Sequence, residues 1–197
     1  MTTPALATQL RRILKKAPIS LYQTHTLDGH ELNVGIRGVE RRALVDLADV
    51  RGRRVLDLGC ATGAESLWAA EMGATHVLGI DVGVDQIEVF QWLRLAWCAK
   101  KPTNVECLRW DLRFGLPPDL VEFDTVFAFA IAQHIGYLEV WQQVSAARVA
   151  YVEGGTDCPF TEASLSTNGW TATLIGRTPC NRARPGLERP LFRLVRL

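Results

Sequence analysis

The 197-residue sequence predicts an α/β fold: a doubly wound, mostly parallel sheet that ends in an antiparallel hairpin at its C-terminal edge. Three observations predict it. Short apolar runs alternate with helical patterns from Arg54 to Val152, which is how parallel strands joined by crossover helices read. The first of these runs opens through a glycine-punctuated turn, Gly59 to Gly63, directly into a helix. From Trp170 onward two strand-like segments follow with no long helix between them.

MTTPALATQLRRILKKAP reads as a basic amphipathic helix, with Leu6, Leu10, Ile13 and Leu14 on one face and Thr3-Pro4 at its start. A polar stretch from Tyr22 to Gly35 follows, and then Val39, Ala43, Leu44, Leu47 and Ala48 recur at helical spacing. Arg54–Leu58 is a short apolar strand, and Ala64 to Met72 a helix closed by Gly73. His76–Ile80 is a second strand. Asp85-Gln86-Ile87-Glu88 has the form of a capping box that starts a helix running to about Ala99 and stopping before Pro102. Trp92 and Trp97 on that helix read as core. Val105–Trp110 and Thr125–Ile131 are further strands, and a helix at about Tyr137 to Ala147 leads into Val149–Val152. Trp170–Ile175 and Leu191–Val195 make the closing hairpin.

Composition narrows the class. With 48% hydrophobic and 22% charged residues the chain is an ordinary globular one. No apolar run approaches the roughly 20 residues of a membrane span, and the N-terminus lacks the pattern of a secretory leader. A cytoplasmic protein with no membrane partner is therefore expected. The five cysteines, Cys60, Cys98, Cys107, Cys158 and Cys180, are widely spaced with no C-x-x-C, which argues against disulfides and against a metal site. The net charge of +1 hides basic ends. Arg11, Arg12, Lys15 and Lys16 stand without an acid, and six arginines after residue 176 face Glu188 alone, so the middle is acidic. Such ends suit either a solvated surface or a phosphate-bearing partner.

Chemistry is expected at the strand ends, where open α/β sheets bind ligands. The first strand ends in Asp57-Leu58-Gly59-Cys60-Ala61-Thr62-Gly63. The second ends at Asp81, where a carboxylate can take two hydrogen bonds from a ribose diol. The third ends Trp110-Asp111-Leu112: the acid can accept from an adenine amine between the apolar walls of Trp110, Leu112 and Val82. An acid at one strand end is commonly only a helix cap. Three in order carry more.

Val55 to Gly63 resembles motif I of class I S-adenosylmethionine (SAM)-dependent methyltransferases, (D/E)-x-G-x-G-x-G, with Asp57, Gly59 and Gly63 matched and Ala61 in place of the middle glycine. Gly79-Ile80-Asp81 and Trp110-Asp111-Leu112 resemble the next two motifs. The resemblance implies a Rossmann-like domain over residues 51–197 behind a helical cap or lid at 1–50. It implies SAM as cofactor, with Asp81 on the ribose, Asp111 on the adenine amine and the Gly59–Gly63 loop, Cys60 and Ala61 included, around the methionine. Phe129 in the fourth strand joins this expected set. A dinucleotide fingerprint would need glycines at 59, 61 and 64, and positions 61 and 64 are alanines.

Tyr22-Gln-Thr-His25-Thr-Leu-Asp-Gly29, with Gly35 and Arg37, is similar to the lead-in of the tRNA wobble-uridine (5-oxyacetic acid) methyltransferase-like family. Asp124 to His134 is similar to that family's fourth-strand segment, which also ends in a histidine. Tyr22, His25 and Arg37 are thereby candidate substrate contacts. His134 is a candidate general base, or else a polar residue that fixes the following turn. A small-molecule oxygen or nitrogen acceptor is the leading expectation. An RNA, tRNA in particular, is the alternative, and a non-catalytic scaffold that keeps the fold is the rival of another class. A nicotinamide oxidoreductase is opposed by the loop spacing and the antiparallel tail.

Overall fold

The computed structural model describes residues 4–101, 104–120, 122–145, 147–156, 160–166, 169–180 and 186–197. Thr3, Pro102 and Cys158, named above, lie outside them, as do Arg182 and Arg184 of the six C-terminal arginines.

Helix α1 spans Pro4–Lys16 and buries Leu6, Leu10 and Leu14 of the predicted stripe, with Ile13 half-buried. Each such side chain contributes about 1.5–3 kcal/mol when fully removed from water. The sheet strands are β1 (Arg54–Leu58), β2 (His76–Asp81), β3 (Asn104–Arg109), β4 (Thr125–Phe129), β5 (Val149–Glu153), β6 (Trp170–Pro179) and β7 (Glu188–Arg196). Their order is β3-β2-β1-β4-β5-β7-β6, parallel up to β5, with β7 antiparallel to both β5 and β6. The predicted Rossmann-like architecture with its antiparallel edge is therefore present. Between them run α2 (Ala64–Glu71), α3 (Val84–Cys98), α4 (Ala132–Ile135), α5 (Tyr137–Val144) and α6 (Glu162–Leu165).

Two cores follow from the doubly wound connection. One packs Leu6, Leu10 and Leu14 of α1 with Leu67, Trp68, Phe90 and Trp97 of α2 and α3 against Val55, Val77 and Phe127. The other, on the opposite face, packs Val140, Val144 and Leu165 against Leu56, Leu58, Ile80, Val126 and Leu194. β4 is buried on both faces along its whole length, as its unbroken apolar run predicts. Chain order reverses between β1 and β4, and that leaves a crevice beyond their carboxyl ends.

Three expectations are corrected. The helical spacing at 39–48 forms two 3₁₀ turns, Glu40–Leu44 and Leu47–Asp49, and not an α-helix. Arg41, Arg42, Val45 and Val50 are buried there, while Ala43, Leu47 and Ala48 stay exposed. The arginines turn inward because acids wait for them, and the Asp46 side chain accepts from Ala48 N–H and starts a new turn. The capping box at Asp85 does not form, because α3 begins at Val84 with Gly83 as its N-cap. Gly83 N–H donates to the Asp81 carboxylate at 2.8 Å, which fixes the helix start nearer the strand. Trp97 is buried as expected, but Trp92 is 38% exposed. Among the described residues, no helix is long and apolar enough to cross a membrane.

Candidate functional site

The loop after β1 is built on alternate left-handed residues: Gly59 at φ 71°, Ala61 at φ 47° and Gly63 at φ 79°. These are the three glycine positions of the motif, and they show why it favours glycine. A Cβ at Gly59 would sit 2.7 Å from Ile131 Cδ1, and one at Gly63 would enter the Phe90 ring. Ala61 holds the same conformation at a cost of about 1–2 kcal/mol. Its N–H is tied to Asp81 Oδ2 at 2.8 Å.

This loop borders a cavity of about 540 Å³ at the carboxyl ends of β1, β2 and β3. Its wall comprises Gly59, Ala61, Thr62, Asp81, Val82, Gln86, Trp110, Asp111, Leu112 and Arg113, and continues through Ile19, Ser20, Tyr22, Ile131, His134 and Ile135. The three predicted strand-end signals thus meet at one site. Asp81 accepts one backbone N–H on each oxygen, from Ala61 and Gly83, which orients the carboxylate and leaves its other lone pairs for a ligand. Asp111 caps the short turn Leu112–Phe114 through Arg113 N–H at 3.0 Å. The Arg113 guanidinium grips the same carboxylate at 2.6 Å and, with that backbone bond, holds its pKa below the usual range. Trp110 Nε1 donates to Gly115 C=O and fixes the indole beside it.

The other predicted residues lie elsewhere. Asp57, Cys60, Gly63 and Phe129 are absent from the cavity wall. Asp57 is buried behind the loop and accepts from Ser66 Oγ at 2.6 Å. Burial, only partly opposed by that bond, pushes its pKa up to about 7. Cys60 is fully buried, which raises its thiol pKa and removes it from reactive chemistry. Phe129 carries the Arg41 guanidinium 4.6 Å above its ring.

Of the candidate substrate contacts, only Tyr22 lines the cavity. His25 is buried, with Nε2 at 3.1 Å from Thr62 C=O and Nδ1 at 3.1 Å from Asn33 Oδ1. Burial, against those two bonds, lowers its pKa. Arg37 is buried in an ion pair with Glu153, and it also donates to Thr178 Oγ1 and Pro179 C=O. His134 lines the cavity, exposed, with Nε2 at 3.1 Å from Gln133 Nε2.

Beneath the cavity lies a network that the sequence reading missed. Arg41 and Arg42 bind Glu65 of α2 at 2.9 and 2.7 Å, and Arg37 and Arg41 both reach Glu153 at the end of β5. Burial opposes the Glu65 charge, but Arg42 and Arg41 outweigh it and bring its pKa to about 2. No local spacing signals these pairs. Ile131 and Ile135, also missed, follow β4 directly, where the crevice had to be. Among the described residues no cluster suits a metal.

Residues 55–155, about half the chain, match the methyltransferase domain family, and the chain belongs to it. That family is one of methyltransferase domains, the class whose motifs the strand ends resemble. Among curated proteins it is 34% identical over 94 residues to a tRNA U34 carboxymethyltransferase of Marinobacter nauticus, covering 47% of this chain and 27% of that protein. It is 35% identical over 97 residues to the protein of that name from Geobacter sp., covering 47% and 28%. The matches span about a quarter of those relatives' length. In fold it resembles the bifunctional kinase-methyltransferase WbdD, with TM-score 0.67 and 22% identity, covering 94% of this chain and 46% of that one. It also resembles magnesium protoporphyrin IX methyltransferase from Synechocystis PCC 6803 with bound SAM, with TM-score 0.63 and 21% identity, covering 79% and 76%.

Proposed function

We propose that the chain transfers a methyl group to an oxygen or nitrogen of a small-molecule acceptor, seated beside Tyr22, Ile131 and His134. The observation that carries this is the lining of that end of the cavity. Ile19, Ile131 and Ile135 wall it with Tyr22, and the one arginine or lysine on the described wall, Arg113, is paired to Asp111. Such a surface suits a compact, largely apolar acceptor better than a phosphate backbone.

In this reading the Asp81 carboxylate takes the ribose hydroxyls. Asp111 accepts the adenine amine between Trp110, Leu112 and Val82, and the Gly59–Thr62 turn carries the methionine end. Asp57, Gly63, Cys60 and Phe129 serve from behind, by shaping the loop and the strand ends. SAM, when bound, supplies a methyl that is already electrophilic, so the chain has only to align the acceptor and exclude water. In this reading His134 takes the proton of an acceptor hydroxyl or amine. Residues 1–50 act as the cap over the domain at 51–197, and the protein works in the cytoplasm.

The names of the curated relatives favour a second reading, a tRNA acceptor. Two of the C-terminal arginines give it little support, because Arg193 is paired with Asp49 and Arg189 is buried near Glu153. Labelled SAM offered with metabolite pools and with bulk tRNA separates the two. Label should enter a small molecule. Label in tRNA, lost when Arg11, Arg12, Lys15 and Lys16 are neutralised, would overturn the proposal.

A further inference from the structure

The cofactor loop is held from a side that the motif does not reveal. Thr62 lines the cavity, and both its hydroxyl and its carbonyl are engaged by the N-terminal segment. Thr62 Oγ1 donates to Gln23 Oε1 at 3.2 Å, and Thr62 C=O lies 3.1 Å from His25 Nε2. Gln23 Oε1 also accepts from Ala64 N–H at 3.3 Å, the first residue of α2. It thereby supplies a helix cap that Gly63, the N-cap residue, has no side chain to give.

Gln23 and His25 are fixed in their turn. Asn33 Nδ2 donates to Gln23 C=O at 3.0 Å, and Asn33 Oδ1 accepts His25 N–H at 2.9 Å. Gly35 packs so closely that a Cβ there would lie 2.3 Å from the Gln23 carbonyl carbon. Gln23, His25 and Thr62 are each at least nine-tenths buried, and neither Gln23 nor His25 is on the cavity wall. Their hydrogen bonds go to the loop and to their own segment.

We propose that Gln23 and His25 are positioning residues that hold the cofactor loop in its binding shape through Thr62, so that seating of segment 22–37 and cofactor binding are coupled. This rests on the loop's assignment to the methionine end of SAM. The coupling is reciprocal: whatever a preformed loop adds to cofactor affinity, bound cofactor returns as order in the segment.

The test is calorimetry of S-adenosylhomocysteine binding to the full chain, with amide exchange over residues 22–37. Gln23→Leu removes the acceptor, and one neutral hydrogen bond corresponds to about a fivefold loss of affinity. Gln23→Glu keeps an acceptor for both donors and should bind within about twofold of the parent, by the same hydrogen-bond count. Ligand should slow exchange across 22–37 in the parent, and less in Gln23→Leu. Should Gln23→Leu prevent folding, Thr62→Val, which removes only the hydroxyl, reads the same coupling. Parent-like affinity in a folded Gln23→Leu or Thr62→Val chain would overturn the proposal. Asp81→Ala is the control. If it too leaves affinity unchanged, the assignment of the cavity fails; if it alone weakens binding, only the coupling does.

Discussion

Charges at the cavity and charges beneath it are kept in opposite ways. Asp81 and Asp111 sit at the ends of adjacent strands, partly exposed, each held by backbone N–H groups within two residues or from the neighbouring loop. Glu65 and Glu153 are buried and are held by Arg37, Arg41 and Arg42, which arrive from the N-terminal segment. The first pair remains ready to accept a ligand's hydrogen bonds. The second group is spent on one another, and it joins the segment around residues 37–42 to the sheet. The acids proposed to bind the ligand are thus locally fixed and half-open, whereas the N-terminal segment is attached through closed, long-range ion pairs.

The sharpest way to break this contrast is Glu153→Gln, which leaves Arg37 and Arg41 facing a neutral amide inside the protein. Losing one partner of a buried pair costs about 3–5 kcal/mol. For a chain of this size the Tm should fall by about 10 °C. A Tm that hardly moves would show that the network is not what joins the segment to the sheet.

Asp57 provides the next effect, because it lies between the two regions. Its folded pKa of about 7 stands above the ordinary 3.8, so the folded chain holds a proton that the unfolded chain releases. The stability that goes with that proton is full below pH 3.8 and is lost as pH rises through 7. His25 acts in the opposite sense. Its lowered pKa removes stability as pH falls below 6.5. Asp57→Asn should therefore be more stable than the parent at pH 8 than at pH 5, by an amount on the order of 1–4 kcal/mol. Chemical unfolding at the two pH values measures it, and equal differences at both would place Asp57 in contact with solvent.

The smallest effect is at Ala61, the motif's exception. Ala61→Gly relieves a left-handed residue at φ 47°. It gives back part of that gain as unfolded-state entropy, about 0.4–1 kcal/mol. The net should be a stabilisation within about 1 kcal/mol, read as a small rise in denaturation midpoint. A fall would mean that the methyl makes contacts worth more than the strain.

What could be read from the sequence follows the same divide. Strand ends, the glycine turn and the two cavity acids depend on neighbours in the chain, so spacing revealed them, and β1 was predicted to the residue. The pairing of Arg41 with Glu65, 24 positions away, and of Arg37 with Glu153, 116 away, depends on the finished fold. That is why the apolar spacing at 39–48 read as a helix, when two buried arginines were the feature that decided the local structure. Arg37 and His25 drew notice as polar residues in a lead-in segment, and polarity alone does not distinguish a ligand contact from a buried tie. Trp92 shows the reverse error: helical spacing placed it in the core, and α3 turns it partly outward.

The central claim is that the cavity at the ends of β1, β2 and β3 seats the cofactor with its ribose on Asp81. A crystal structure of the chain with S-adenosylhomocysteine tests this directly. The ribose hydroxyls should lie within hydrogen-bonding distance of the Asp81 carboxylate, the adenine between Val82 and Leu112, and the amino-acid end against the turn from Gly59 to Thr62. A nucleoside bound with Asp81 still held only by Ala61 and Gly83, or seated outside this cavity, would contradict it.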